Sequence, residues 1–258
     1  MDFLKTHYNI DEILTNPNKI DEIKNQINRN NLVIIKNVVS KELINQIKNH
    51  LSNVGRNSIP NYQKLEFGSG DFHRMNNNDE RAYVKGVFHQ FVYYPWNQNY
   101  FDFFNSFKSI FNLKNLLSGL PIEANLSPGV NDDFTARVAF QFYPSGNGFL
   151  NEHRDPVDKH QVALPTIIMS EIGEDFHKGG VYFKMEDGTK IFPEEYTSSG
   201  DVAFFKASLR HGVEIIDPEE SESHWLDFKG RWMGLLAINK FFGSNAIGNA
   251  IDTSKDEK

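Results

Sequence analysis

Apolar residues recur at helical spacing over residues 10 to 30, at Ile10, Ile13, Leu14, Ile20, Ile23 and Ile27, and Asn16-Pro17-Asn18 interrupts the run. The pattern predicts two short amphipathic helices that cover a sheet. Residues 31 to 39 are rich in β-branched side chains and predict a strand. Ser40 then stands at an N-cap position before a helix with apolar residues at 43, 44, 47 and 51. From Gly55 to Asn99 the periodicity disappears while polar and aromatic residues accumulate, among them His73, Arg74, His89, Gln90, Tyr93 and Trp96. Long irregular segments in compact domains are commonly lids or binding loops. This one is therefore expected to supply substrate contacts, with Arg74 as the first choice for pairing with an acidic group and His73 and His89 as further candidates. Phenylalanines at 101, 103, 104, 107 and 111 predict a core-facing helix that Gly119-Leu120-Pro121 ends.

The second half of the chain changes period. From residue 135 to 143, Thr135, Arg137, Ala139, Gln141 and Tyr143 fall on one face, and Ala136, Val138, Phe140 and Phe142 on the other. In an open sandwich the polar face meets solvent. In a barrel with helices packed outside, it looks inward onto cofactor and substrate, which makes Arg137 a candidate substrate residue and Gln141 and Tyr143 candidate cofactor residues. Residues 161 to 169 predict a strand whose Pro165 implies an edge or a bulge. Further strands are expected over 180 to 185, 201 to 208, 211 to 216 and 230 to 238, with Leu209, Ala207 and Phe205 on the face of His211. Arg231, Met233, Leu235, Ala237 and Asn239 share one face of the last strand. The whole chain, 1–258, reads as a single domain: residues 1–130 as helical support and lid-like segment, 131–242 as a mainly β core, and then a polar tail.

Composition narrows the function. A net charge of −7, with no Lys/Arg cluster, argues against nucleic acid as a partner. The first residues carry early acidic groups and no apolar leader, and no run approaches membrane-spanning length, so no membrane partner is expected. The absence of cysteine excludes disulfides and thiolate metal sites and fits a reducing cytoplasmic setting where ferrous iron survives. The oligomeric state is left open.

Chemistry concentrates in Asn151-Glu152-His153-Arg154-Asp155-Pro156. In extended chain, side chains at i and i+2 share a face, so His153 and Asp155 can address one point. By itself an H-x-D tripeptide also fits a surface turn ending at Pro156. His211, 58 residues further on and at the start of a predicted strand, can supply a third ligand. Two imidazoles and one carboxylate on one face of an ion form the facial triad of non-haem Fe(II) oxygenases. Arg231, entering an apolar strand, calls for a carboxylate partner. His7, His50, His160, His177 and His224 lie in polar contexts and are expected to be exposed, with His160 a competing ligand if the chain folds back at Pro156.

The run Phe142-Tyr143-Pro144 through Gly148 to His153-Arg154-Asp155-Pro156 resembles the iron-binding segment of Fe(II)/2-oxoglutarate-dependent oxygenases of the prolyl-hydroxylase type. Lys178-Gly179-Gly180-Val181-Tyr182-Phe183 and Ser199-Gly200-Asp201-Val202-Ala203-Phe204 resemble the next strands of that barrel. The resemblance covers about residues 135 to 240. It implies a mainly β fold with α, a double-stranded β-helix (jelly-roll, cupin-like) barrel with packed N-terminal helices. It implies Fe(II) on His153, Asp155 and His211, 2-oxoglutarate as co-substrate meeting Arg231 and Tyr143, O2 as oxidant, and hydroxylation as the outcome. Arg231 follows His211 at about twice the family's usual interval, which requires a longer hairpin loop over residues 217 to 229. A small polar metabolite, such as an amino acid or a sugar-derived intermediate, is the favoured substrate, with a peptide or protein hydroxylase next. A cupin-type metal protein with Zn or Mn at the same triad, or a non-catalytic barrel, are the other readings.

Overall fold

The computed structural model describes residues 4–60, 66–129, 133–240 and 250–254. The chain opens with β1 (Leu4–His7), α1 (Ile10–Leu14), α2 (Pro17–Asn28), β2 (Leu32–Ile35) and α3 (Lys41–Asn57). Each helix start has a local cause: Asn9 accepts from the Glu12 amide, Asn16 accepts from Asn18 and Lys19 with Pro17 behind it, and Ser40 accepts from Leu43. β3 (Phe72–Asn77), β4 (Gly86–Tyr93), α4 (Phe103–Ser106) and α5 (Lys108–Leu117) follow. The second half is β5 (Phe134–Pro144), β6 (Phe149–Arg154), β7 (Ala163–Ile168), β8 (Gly180–Lys184), β9 (Lys190–Ile191), a 3-10 turn at Pro193–Tyr196, β10 (Val202–Lys206), β11 (His211–Glu214), β12 (Gly230–Lys240) and β13 (Ile251–Asp252).

The strands hydrogen-bond in the order β1-β2-β10-β7-β12-β5-β4-β6-β11-β8-β9, with β3 added to β4 and β13 to β6. β4 is the corner. It runs along β5 from His89 to Tyr93 and turns its first two residues, Gly86 and Val87, onto β6. The sheet thus curls into the jelly-roll barrel that the sequence implied. One face of β5, with Ala136, Val138, Phe140 and Phe142, packs outward with Trp232 and Leu236 against Ile13, Ile23, Ile27, Ile44, Ile47, Leu51 and Phe111 of the helices. The other face looks into the barrel with Leu164, Phe183, Phe205, Met233 and Ala237.

Four sequence expectations change. The segment from 55 to 99 is not simply a lid, because β3 and β4 form an antiparallel hairpin within the same sheet, and β4 is buried along its whole length. A strand buried on both sides loses the alternation that would have marked it. Likewise β1 and β2 extend the main sheet, so residues 1–130 supply strands as well as support. β7 is interior, between β10 and β12, despite Pro165. Its pairing with β12 covers only Thr166 to Ile168, so the proline stands just outside that ladder, where a missing N–H does least harm. Finally, β10 and β11 belong to opposite walls, and the chain crosses between them at residues 207 to 210. Phe205 still reaches His211, with ring centroids 4.9 Å apart. The boundary residues 131, 132, 241 and 242, and the start of the tail, lie outside the described residues; Ile251 and Asp252 pair with β6.

Candidate active site

His153 is the last residue but one of β6 and His211 begins β11, and the two are direct cross-strand partners in the antiparallel register. Their rings lie 4.2 Å apart. Asp155 follows β6 by one residue, and its backbone N–H donates to Ala207 O at 3.0 Å, so the crossing segment fixes it in place. One potential ligand atom from each of His153, Asp155 and His211 lies within 4.8 Å of the other two. His211 Nε2 is 3.2 Å and His153 Nε2 4.0 Å from Asp155 carboxylate oxygens.

Both imidazoles are held the same way. Nδ1 of His153 donates to Asn151 O at 2.8 Å, and Nδ1 of His211 donates to Leu209 O at 2.8 Å. With the proton on Nδ1, each Nε2 presents its lone pair to the shared point, the second-sphere arrangement typical of metal-binding histidine. Glu152, also buried, pairs with Lys184 and Arg210 and accepts from Thr253, tying β6 to β8, to the residue before β11 and to the residue after β13.

The electrostatics are coupled. Burial, then the neighbouring His211, lowers the His153 pKa to about 4. Burial pushes Asp155 up, but the hydrogen bond from His211 and the charges of His211, His153 and Arg137 outweigh it and hold the carboxylate below its ordinary value. Burial alone would lower His211. Its hydrogen bond and charge pairing with Asp155 prevail and raise it. The set is a hard-to-intermediate N,N,O donor group suited to a divalent first-row ion.

A cavity of about 470 Å³ opens beside the triad, lined by Phe88, Leu164, Phe183, Phe205 and Met233 and by the polar side chains Arg74, Gln90, Arg137, Gln141, Tyr143 and Asn239. Tyr143 donates to Gln141 Oε1 at 2.8 Å. Arg231 is completely buried behind this wall, 5.4 Å from the Tyr143 ring, and does not itself line the cavity. Its Nε donates to Glu194 Oε1 at 2.5 Å, while Nη1 and Nη2 have no hydrogen-bond partner among the described residues. Sequence reasoning asked for a carboxylate beside Arg231 and missed Glu194, which sits in a short 3-10 turn that reads as loop. A buried arginine with two open donors fits a further carboxylate.

Other expected residues go elsewhere. His73 and His89 share a hydrogen bond at 2.7 Å and pack with Phe91, Trp225 and Phe228 on the helix side of the hairpin, while Arg74 and Gln90 line the cavity. Burial lowers their pKa values to about 4 and about 3. His160 is buried rather than exposed: it stacks on Phe134 at 3.8 Å and contacts Asn125, and it is not part of the triad. Of the other four histidines only His177 is exposed; His7, His50 and His224 are half-buried.

No protein-family model and no curated protein matches the chain. Solved structures do match. A candidate oxygenase from Shewanella oneidensis superposes with a TM-score of 0.57 at 12% identity, covering 92% of this chain and 90% of that one. A Neurospora crassa protein in complex with alpha-ketoglutarate and 5-formyluracil gives 0.53 at 11%, covering 98% and 93%. A prolyl hydroxylase from Trichoplax adhaerens, in complex with a hypoxia inducible factor peptide fragment, gives 0.51 at 15%, covering 88% and 91%. At these identities the likeness establishes the fold: a jelly-roll barrel of the kind these oxygenases have. Among the described residues no helix is long and apolar enough to cross a membrane.

Proposed function

We propose that the protein is an Fe(II)- and 2-oxoglutarate-dependent dioxygenase that hydroxylates a small polar metabolite in the cytoplasm. One observation carries this reading: two imidazoles with their Nε2 atoms freed by backbone locks converge with a carboxylate in a cavity that Tyr143 also lines, and behind Tyr143 lies a buried arginine with two open donors among the described residues. His153, Asp155 and His211 would hold the ion. Arg231, with Tyr143 and Gln141 beside it, would take the distal carboxylate of 2-oxoglutarate, Glu194 fixing the guanidinium by its Nε. Bound there, the ion and co-substrate supply oxidative chemistry: O2 gives one oxygen atom to 2-oxoglutarate, which leaves as succinate and carbon dioxide, and the other to a substrate C–H bond. The chain's own part is positioning and keeping bulk water out, which the apolar walls Leu164, Phe183, Phe205 and Met233 serve.

A cavity of about 470 Å³ lined by scattered polar groups supports a small polar substrate. The peptide-bound Trichoplax structure keeps a peptide or protein hydroxylase as the second reading. Anaerobic addition of Fe(II) and 2-oxoglutarate is expected to produce a weak visible charge-transfer absorption, and air then to yield succinate. Metal binding without that response would favour a cupin-type Zn or Mn protein, and no metal binding a non-catalytic barrel. Asp155→Ala is expected to abolish both signals with the fold retained, as read by circular dichroism; unchanged turnover would remove Asp155 from the metal.

A further inference from the structure

A second cation faces the cavity and has no ion-pair partner among the described residues. Arg137 is 8% exposed, lines the cavity, has no partner on Nε, and makes no ion pair among the described residues. Desolvating a charge without compensation is strongly unfavourable, so such a group marks a place where a ligand completes the pairing.

Arg137 cannot serve the same ligand as Arg231. Both lie on the β5–β12 ladder, but Arg231 pairs with Tyr143 whereas Arg137 pairs with Ala237, six residues away along β5. At about 3.4 Å per residue the two rungs are roughly 20 Å apart. His153, Asp155 and His211 line the same cavity as Arg137 and Tyr143. A short diacid that chelates at the triad extends toward one of them only. Arg231 is already held by Glu194 through Nε; Arg137 has no ion-pair partner among the described residues and feels only the more distant charge of Asp155.

One acceptor stands close to Arg137 and a second further along the wall. Gln90, 3% exposed, and Asn239 each line the cavity with an amide oxygen that has no partner among the described residues, Oε1 and Oδ1 respectively. Asn239 is opposite Thr135, two residues from Arg137 on β5, whereas Gln90 is opposite Gln141, two residues from Tyr143. A guanidinium fork takes a carboxylate, and an amide oxygen takes an N–H or O–H.

We propose that the primary substrate is a small carboxylic acid carrying an amino or hydroxyl donor, an α-amino acid being its simplest form, with its carboxylate on Arg137 and its donor group on Asn239. The inference rests on the oxygenase reading for what happens at the triad, and it adds the polarity and orientation of what is bound there.

The test uses the full chain loaded with Zn(II), which has no redox chemistry, and saturated with 2-oxoglutarate. A pool of the proteinogenic amino acids and a pool of 2-hydroxy acids are added separately, each against the corresponding pool of primary amides, and the melting midpoint is followed. At least one acid pool is expected to raise the midpoint saturably, and its amide pool to fail. Arg137→Gln is expected to weaken the acid's apparent affinity by about thirtyfold or more, the size of effect seen when one partner of a buried charged contact is removed. The same variant, and Arg137→Met, should melt at or above the wild-type midpoint without ligand, because each removes an unpaired buried charge. A merely structural arginine would do the reverse.

The proposal is overturned if neither acid pool binds, if amides bind equally well, if the loss in the variant falls on 2-oxoglutarate affinity instead, or if both variants melt lower. Failure of the oxygenase reading is separately visible: Fe(II) with 2-oxoglutarate would then give no charge-transfer band in the wild-type protein.

Discussion

His153, Asp155 and His211 were legible as residues because a two-residue step in extended chain fixes a common face, and only the third ligand had to be sought at a distance. Their titration is where the site should reveal itself. The raised pKa of His211 means that its pairing with Asp155 stabilises the metal-free protein fully below the unfolded value of 6.5, a contribution lost as pH rises through the folded value. Zinc needs the neutral imidazole. The zinc-induced rise in melting midpoint is therefore expected to grow as pH increases through that range, and a rise independent of pH between 5 and 8 would contradict the coupling. Arg231→Ala is expected to raise the 2-oxoglutarate requirement at least about tenfold, since a buried carboxylate loses charged hydrogen bonds. Steady-state kinetics in 2-oxoglutarate measures it. Glu194 and the true side of His73 and His89 were not legible: the first hides in a turn, and the other two depend on the parity of a strand whose apolar and polar residues do not alternate.

At the level of elements, Gly230 introduces β12 and sets the angle at which Arg231 enters. Its φ is +144°, and an added Cβ would come within 2.3 Å of Tyr143 O. Gly230→Ala is expected to destabilise the fold by on the order of 1–3 kcal/mol and to displace Arg231, visible as a lower denaturation midpoint together with weaker 2-oxoglutarate binding. Helix α5 carries a different burden. Lys114 is fully buried, donates to His160 O at 2.7 Å, and burial lowers its pKa from 10.5 to about 7. Between those values the unfolded chain binds the extra proton, so stability rises with pH from about 7 toward 10.5 and is lost as pH falls through about 7. Lys114→Met is expected to flatten that slope in denaturant titrations. Amphipathic helices such as α2 and α3 were readable from spacing and caps; the place of β7 in the sheet was not, because Pro165 argues for an edge and only the short overlap with β12 accommodates it.

For the molecule as a whole, the two faces of β5 and β12 were readable from alternation, while the inward sense of the polar face came from the resemblance to the barrel family. What could not be read is how the first half joins it. β2 and β4 are buried throughout, so their residues carry no period, and membership of the sheet is decided by partners far along the chain. β13 is the corresponding surprise at the other end. Its Asp252 pairs with His153, and Thr253 bonds Glu152 through both backbone N–H and hydroxyl. A chain ending before Ala250 is expected to lose about 1–3 kcal/mol of stability and to bind zinc more weakly; equal affinity would mean that β6 is held by its other neighbours alone.

The two histidines face each other across adjacent strands, one on β6 and one on β11, with a register shift immediately after His211. An ion gripping both would work as a transverse rivet at the weakest rung of that wall. Loading should then slow amide deuterium uptake along β6 and β11 far more than along β2 and β10, where nothing is newly fastened.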